Sequence, residues 1–355
     1  MAKYLIGDIH GCADEFAQLL EKINFNPAED ELYLAGDLVG RGPKPKEVLD
    51  LAIKHNAKAV LGNYDLHFLA CLYGAREAKE SDNFDSLLNL NPEEKQYYAS
   101  WLQEQGFVRE DEGFYLVHAS LDPTWLPEQI TDIAQQAKEF FKSWGAEEFK
   151  RFFGGKQFYI NLRELGFASH EEIFLRRFFE SLLVFTICRF RQFKTLEEES
   201  ILLYPSAQQV LDTIGKDKLQ KLAPSLLIED YSKAYFDLNI GLKGKPEAVR
   251  EQGLYPWFEF ARAKAERTKD NVRQVYKNPN FNFLGFKKPV YFGHWSLCNG
   301  FPLPPGFIGT DTSCVFGDRL TAYKLPEFSV NMQDQAFLLT LAQPIAEVKS
   351  TIKFN

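Results

Sequence analysis

Several features of secreted, membrane-embedded or nucleic-acid-binding proteins are missing from this chain of 355 residues. Its five cysteines are odd in number and form no CxxC pair, which argues against a disulfide framework or a zinc–thiolate site. No stretch approaches the ~18 uninterrupted apolar residues of a membrane span, and the opening MAKYLIGDIHG predicts a strand in place of a secretory signal. A formal net charge of −8 argues against general polyanion binding, because nucleic-acid affinity depends on basic surface. We therefore predict a cytoplasmic protein with reduced thiols that binds neither membranes nor bulk nucleic acid.

The composition that is present is ordinary for a globular protein, except for its aromatic share. Apolar residues make up 45% of the chain and charged residues 25%, and 32 phenylalanines contribute to an aromatic content of 15%. Large rings bury much surface, so we expect them to fill the interior. A chain of this length can form one large domain with a sizeable insertion, whereas its oligomeric state is left open.

The N-terminal third of the chain alternates predicted strands with predicted helices, the pattern of an α/β domain. The predicted strands are Lys3–Gly7, Glu31–Ala35, Lys58–Leu61 and Phe114–Val117. The predicted helices between them are Asp14–Ile23, Pro45–Lys54 and Leu66–Leu72.

The predicted secondary structure changes twice in the rest of the chain. From about residue 123 to 269 the pattern favours helices, at Ile130–Trp144, Glu171–Val184, Ala207–Leu222 and Glu247–Arg267. Residues 191–236 differ from both flanks and are predicted to be an insertion. After Pro289 short strands return, at Val290–Phe292, Gly306–Gly309, Cys314–Phe316 and Leu320–Leu325. We interpret residues 1–355 as one domain whose sheets draw on both ends of the chain.

Candidate metal ligands follow the predicted strands at the points where the strands end. They lie in short motifs flanked by glycine or alanine, and they are Asp8, His10, Asp37, Asn63, His118 and His294. Open α/β sheets bind ligands at the carboxyl ends of their strands, so we expect these side chains to meet there. Asp37 can bridge two cations, and mixed nitrogen and oxygen donors suit Mn²⁺, Co²⁺, Fe or Zn²⁺ better than calcium. Arg41, in the same loop as Asp37, offers a planar donor for phosphate.

Each motif alone has a plainer interpretation. An Asp-x-His after a strand is often a solvated loop, a Gly-Asn pair is often a turn, and an isolated histidine is more often structural than a ligand. Their joint occurrence, with three of the six histidines at strand ends, indicates a single site. Two ions ~3.5–4 Å apart activate a water and clamp a phosphoryl oxygen for in-line attack. The sequence therefore predicts a two-metal phosphoesterase.

The stretches YLIGDIHGC, LYLAGDLVGRGP, VLGNYDLHFLA, YFGHW and GTDTSCVFGDRLTAYKL resemble the calcineurin-like metallophosphoesterases. Within that superfamily the chain resembles the symmetrical bis(5'-nucleosyl)-tetraphosphatases over nearly its whole length. The resemblance implies an α/β (α+β) fold, a four-layer β-sandwich flanked by helices, with a helical insertion. It also implies that a small dinucleoside polyphosphate is the substrate, with diadenosine tetraphosphate cleaved to two ADP. Two divalent ions would be the cofactors, Mn²⁺ or Co²⁺ ahead of Fe or Zn.

The resemblance also implies a role for each site residue. The side chains already named as candidate ligands would hold the metals. Arg41, Tyr64 and Asp65 would be catalytic, and Arg41 and Arg189 would bind the substrate.

Two positions depart from the family pattern. Tyr64 stands where the family has a histidine that serves the leaving oxygen, and the reference pKa of tyrosine, ~10, is far above the ~6.5 of histidine. Ile187 stands where the family has an arginine. Gly40 replaces an aspartate of many superfamily members, but the tetraphosphatases lack that aspartate too. These departures leave two alternatives open: a phosphatase for another nucleotide or phosphoester, and a slow or inactive sensor that binds dinucleoside polyphosphates.

Overall fold

The structure, a computed structural model, describes residues 1–122, 125, 127–154, 178, 181–194, 235–239, 254–258, 288–301, 303–332 and 334–352. Its strands are β1 (Lys3–Ile6), β2 (Glu31–Leu34), β3 (Lys58–Ala59), β4 (Val108–Glu110), β5 (Tyr115–Val117), β6 (Phe190–Lys194), β7 (Tyr235–Asn239), β8 (Leu254–Pro256), β9 (Val290–Phe292), β10 (Phe307–Gly309), β11 (Arg319–Lys324) and β12 (Ala346–Lys349). Its helices are α1 (Ala13–Lys22), α2 (Pro45–Lys54), α3 (Asn63–Leu72), α4 (Asp85–Leu88), α5 (Pro92–Gln103), α6 (Pro127–Lys142), α7 (Ala146–Phe153) and α8 (Gln335–Leu341).

Two mixed sheets form the centre of the fold. The five-stranded sheet has the order β12-β11-β1-β2-β3, in which β1, β2 and β3 are parallel. The four-stranded sheet has the order β10-β9-β5-β4, in which β10, β9 and β5 are parallel. The C-terminal strand β11 pairs antiparallel with β1, so both ends of the chain contribute to one sheet.

The sheets pack face to face, and helices cover their outer faces. Successive side chains of a strand point to opposite faces, and β1 shows this directly. Leu5 belongs to a cluster shared between the two sheets, whereas Ile6 belongs to the larger cluster beneath the helices. The shared cluster comprises Leu5, Tyr33, Ala35, Val60, Phe114, Leu116, Tyr291, Ile308, Tyr323 and Leu325. This arrangement confirms the four-layer sandwich that the resemblance implied.

The helices form where apolar residues recur at helical spacing and the first turn is well capped. Helix α1 buries Phe16 and Leu19 and carries acidic residues in its first turn and Lys22 in its last, which complements the helix dipole. Helix α5 begins with Pro92, and the Asn91 side chain accepts a hydrogen bond from the Glu94 N–H at 3.0 Å. No helix in the described parts of the chain combines the length and the apolar character needed to cross a membrane.

The predicted helical block contains strands as well as helices. Helix α6 overlaps the predicted Ile130–Trp144, but β6, β7 and β8 form a third, antiparallel sheet. The predicted helix Glu247–Arg267 is wrong over Leu254–Pro256, because a proline there would break a helix, whereas an edge strand tolerates it. The predicted helix Ala207–Leu222, like residues 195–234 of the predicted insertion, lies outside the described residues.

One predicted strand near the C-terminus is also wrong. Residues Cys314–Phe316 form a 3-10 helix, not a strand. The residues on either side, Ser313 and Gly317, have φ values of 61° and 87°, and this left-handed backbone turns the chain sharply. The apolar run alone could not reveal the two turns that interrupt it.

Candidate metal centre

The six predicted ligands converge at one edge of the sandwich. Asp8 and His10 follow β1, Asp37 follows β2 and Asn63 begins α3 just after β3. His118 follows β5 and His294 follows β9 in the other sheet. Parallel strands end at the same edge of their sheet, so the two sheets together bring all of these side chains to the carboxyl ends of their strands.

The ligand atoms form two groups that share Asp37. Its Oδ2 lies 3.2 Å from His10 Nε2, and its Oδ1 lies 3.5 Å from His118 Nε2. The ligand atoms of Asp8, His10 and Asp37 lie within 4.8 Å of one another, and so do those of Asp37, His118 and His294. Asn63 Oδ1 completes the second group at 3.3 Å from His118 Nε2.

The loops that carry these residues have unusual backbone geometry. His10, Asp37, Arg41 and His294 have φ values of 47°, 48°, 65° and 64°, a left-handed conformation that costs about 1–3 kcal/mol per residue. Hydrogen bonds between loops hold it in place, including His10 N–H to the Asp37 carbonyl at 2.7 Å. The concentration of strain here is typical of functional sites.

Two glycines permit the close approach of the carboxylates. A Cβ at Gly62 would lie 2.1 Å from Asp37 Oδ1, and a Cβ at Gly293 would lie 2.0 Å from Asp8 Oδ1. Backbone N–H groups next to these glycines instead orient the carboxylates. The Tyr64 N–H donates to Asp37 Oδ1 at 2.8 Å, and the His294 N–H donates to Asp8 Oδ2 at 2.9 Å.

Hydrogen bonds decide which nitrogen of each histidine faces the centre. His118 Nδ1 donates to the Ala35 carbonyl at 2.8 Å. In the neutral ring Nε2 is therefore unprotonated, and its lone pair faces Asp37 and Asn63. His294 Nε2 donates to the Ile187 carbonyl at 3.0 Å, which leaves Nδ1 as the acceptor. Burial lowers the pKa of His118 to about 4 and the pKa of His294 well below its usual value. Both imidazoles are therefore neutral, as metal ligation requires.

The carboxylates of the site are crowded and buried. Burial and the neighbouring carboxylates raise the pKa of Asp8, and burial raises the pKa of Asp37 to about 7. The lone pairs of neutral imidazoles repel the carboxylate oxygens they face, and divalent cations bound between them would replace this repulsion with attraction. The donor set therefore fits two divalent ions that share Asp37.

Arg41 lies beside this cluster with its guanidinium unpaired among the described residues. Its guanidinium carbon lies 4.6 Å above the centre of the Tyr64 ring, a cation–π contact that fixes its position without using a hydrogen-bond donor. Its charge is close enough to help lower the pKa of His10 to about 3, although burial is the larger cause. Within the described part of the chain, no residue accepts a hydrogen bond from the guanidinium, so its N–H groups can donate to an anion.

Tyr64 projects beside the cluster, as its position after Asn63 predicts. The centre of its ring lies 5.0 Å from that of His10, and burial raises the pKa of its half-buried phenol to about 12. A Cβ at Gly40, where φ is 89°, would lie only 2.5 Å from Tyr64 Cδ1. The tyrosine ring therefore occupies the space that any side chain at position 40 would need.

Arg189 and Ile187 lie on the segment before β6 and contact His294. Arg189 donates from a terminal guanidinium nitrogen to the His294 carbonyl at 3.1 Å and contributes to the low pKa of the His294 ring. The Ile187 side chain is buried in the core, and only its carbonyl reaches the site, where it accepts from His294. An apolar residue at this position thus packs the core and offers no charge to a phosphate.

Asp65 lies close to Asp37, and its carboxylate is bound by backbone N–H groups. Its carboxylate is fully buried and accepts backbone N–H groups from Leu38 at 2.9 Å, Val39 at 3.3 Å and Gly62 at 2.9 Å. These bonds tie the loop that carries Asp37 to the start of α3. The geometry gives Asp65 a positioning role for the ligands in place of direct contact with a substrate.

We expect Asp65→Ala to lower the free energy of unfolding by about 3 kcal/mol, because three buried N–H groups lose a charged acceptor. The measurement is denaturant unfolding of the metal-free protein. The matched control is Asp132→Ala at an exposed position of α6, which should change stability by less than about 0.5 kcal/mol. Equal stability of the Asp65 variant and the control would remove the positioning role.

Sequence reasoning missed Asp311, which follows β10 in the same way that Asp8 follows β1. Its charge contributes to the raised pKa values of Asp8 and Asp37, so its carboxylate lies close to both. Burial also raises the pKa of Asp311 itself. The signal was present, because Gly309-Thr310-Asp311 places a carboxylate just past a strand end, the rule that found the other ligands.

Known proteins resemble this chain over most of its length, including the residues of the cleft. A family model described as calcineurin-like phosphoesterase matches residues 2–158, which include every candidate ligand except His294. The chain is also similar to proteins named symmetrical bis(5'-nucleosyl)-tetraphosphatase. That of Vibrio parahaemolyticus is 30% identical over 336 residues, which cover 94% of this chain and 99% of the relative. That of Glaesserella parasuis is 31% identical over 325 residues, which cover 90% of this chain and 93% of the relative.

Proposed function

The chain belongs to the symmetrical bis(5'-nucleosyl)-tetraphosphatase family of calcineurin-like phosphoesterases, and from this premise we propose that it converts diadenosine tetraphosphate to two ADP. Membership makes it a hydrolase of phosphoanhydride or phosphoester bonds. The proposal adds the substrate class, dinucleoside polyphosphates, and a symmetrical cut at the centre of the phosphate chain.

One observation carries the proposal: two groups of nitrogen and oxygen donors share Asp37, and the Arg41 guanidinium, which has no hydrogen-bond partner among the described residues, lies beside them. Asp8, His10 and Asp37 would hold one divalent ion, and Asp37, Asn63, His118 and His294 would hold the second. We propose Mn²⁺ or Co²⁺, since mixed imidazole, amide and carboxylate donors suit these ions. Bound there, the ions would activate the attacking water and offset part of the phosphoryl charge.

The remaining residues act on the substrate or on the ligands. Arg41 donates hydrogen bonds from its planar guanidinium to the phosphoryl oxygens. This stabilises their negative charge as the phosphoanhydride bond breaks. Arg189, which donates to the His294 carbonyl at 3.1 Å, adds positive charge beside that ligand. The Tyr64 hydroxyl donates a hydrogen bond to the leaving oxygen. Asp65 holds the loop that carries Asp37 against the start of α3, where Asn63 lies.

Tyr64 also favours a second candidate function, a sensor that binds dinucleoside polyphosphates and turns them over slowly. A phenol whose pKa is raised to about 12 gives up its proton poorly at neutral pH. General acid catalysis contributes roughly 10²–10⁴-fold, so its loss would slow the reaction while leaving the donors for the metals in place.

The experiment that tests the main proposal uses purified protein loaded with Mn²⁺ or Co²⁺ and offered diadenosine tetraphosphate, with the products separated by chromatography. Symmetrical cleavage yields ADP alone. A mixture of AMP and ATP would contradict the symmetrical cut, and tight binding without turnover would favour the sensor.

Arg41→Ala should raise KM and lower kcat for diadenosine tetraphosphate without releasing metal, because the guanidinium binds the phosphoryl group and not the ions. Loss of a bidentate, charge-assisted contact costs about 2–3 kcal/mol, which corresponds to a fall in kcat/KM of roughly 30- to 150-fold. Steady-state kinetics and metal analysis on the same preparation provide the measurement.

The matched control for this prediction is Arg151→Ala, which removes an exposed arginine from α7 and should leave the kinetics unchanged. Wild-type kinetics in the Arg41 variant would remove Arg41 from the site. Loss of metal in that variant would instead place Arg41 among the residues that support the ligands.

A further inference from the structure

Phe316 presents an aromatic ring at the rim of the candidate metal centre. Its side chain is 46% exposed, although its neighbours Cys314 and Val315 are buried. The Arg41 guanidinium carbon lies 5.3 Å from the centre of the Phe316 ring, with the Tyr64 ring on another side at 4.6 Å. An exposed ring of this size beside a phosphate donor leaves apolar surface that a flat ligand would remove from water.

The ring is mounted on a short turn that has little freedom to move. The 3-10 helix Cys314–Phe316 lies between Ser313 and Gly317, both in the left-handed region. The Phe316 N–H donates to the Ser313 carbonyl at 2.9 Å, and the Ser313 N–H donates to Asp311 Oδ1 at 3.0 Å. The turn is thus bonded to a carboxylate that lies close to Asp8 and Asp37, which places the ring near the ligands.

We propose that Phe316 is the platform on which a nucleobase of the substrate stacks. In a nucleotide only the ribose separates the base from the 5'-phosphates, so a base on Phe316 would leave its phosphates within reach of Arg41 and the metal ligands. Stacking on an aromatic ring accepts any base, because every base has a π face and phenylalanine offers no hydrogen bond to select among them. The subsite therefore favours nucleotides over inorganic phosphate chains and does not discriminate among the bases.

This inference rests on the proposed function for the identity of the substrate as a nucleotide, but it is tested separately by binding. In Mn²⁺-loaded protein, Phe316→Ala should weaken the binding of ADP by about ten-fold or more, the loss expected when one stacked base loses its aromatic partner. The binding of pyrophosphate, which has no base, should weaken several-fold less. Phe316→Trp should restore ADP binding to within about three-fold of wild type.

Steady-state kinetics provide a second test, with diadenosine tetraphosphate and inorganic tripolyphosphate as substrates. Phe316→Ala should raise KM for the dinucleotide by a factor at least five-fold larger than for tripolyphosphate. Phe328→Ala is the matched control, because this ring is 72% exposed and lies in the loop after β11. It should leave KM unchanged for both substrates. Selective loss of ADP binding in a protein that fails to cleave the dinucleotide would retain the stacking platform and reject the proposed function. Equal losses for ADP and pyrophosphate, or no loss for either, would overturn the platform.

Discussion

Asp37→Asn should abolish hydrolysis and release most of the bound metal from both positions. Asp37 is the shared member of the two donor groups, with one oxygen 3.2 Å from His10 Nε2 and the other 3.5 Å from His118 Nε2. An amide replaces one of these oxygens with a neutral N–H donor, which cannot bind a cation. Because metal-ion catalysis contributes several kcal/mol, we expect activity to fall by roughly 10³-fold or more.

Metal content is the decisive measurement for this variant, since activity alone would fall for many reasons. The metal-loaded wild type should hold two ions per chain, whereas Asp37→Asn should hold few. Asp132→Asn, at an exposed position of α6, is the matched control and should retain both metal and activity. Full metal occupancy in Asp37→Asn would refute the shared-carboxylate assignment.

If the protein is the slow sensor, Tyr64→His should raise kcat by at least ~10²-fold, because an imidazole can donate a proton to the leaving oxygen near neutral pH far more readily than a phenol. Tyr64→Phe keeps the ring that lies 4.6 Å beneath Arg41 and removes only the hydroxyl. Its cost should be ~1–2 kcal/mol of transition-state stabilisation, the value of one hydrogen bond. The comparison thus separates proton donation from ring packing.

Single-turnover kinetics on metal-loaded wild type and both variants is the appropriate measurement. A wild type that binds the dinucleotide, barely turns it over and gains rate with histidine would favour the sensor. A wild type with high turnover and a histidine variant no faster would mean that the phenol, His67 or a metal-bound water already serves the leaving group. The ring of His67 lies 6.1 Å from that of Tyr64, and its Nε2 pairs with Asp82 at 2.9 Å.

The convergence of the candidate ligands was predictable from local pattern. Asp8, Asp37 and His118 each follow a short apolar strand, and parallel strands bring such positions to one edge whatever the loops between them do. Asp311 obeys the same rule after the predicted strand Gly306–Gly309, although it was not among the predicted ligands. The middle of the chain was less predictable, because β8 is too short to show a period that excludes a helix.

The sequence by itself determined the fold class and the set of side chains that meet at the metal centre, because strand periodicity and glycine-flanked strand ends are local properties. Only the tertiary structure decided which nitrogen of His118 faces Asp37, since that depends on the Ala35 carbonyl from another sheet. It also decided that Tyr64 fills the space above Gly40 and that Phe316 stands beside Arg41. These contacts join segments far apart in the chain, and no local pattern encodes a distance between such segments.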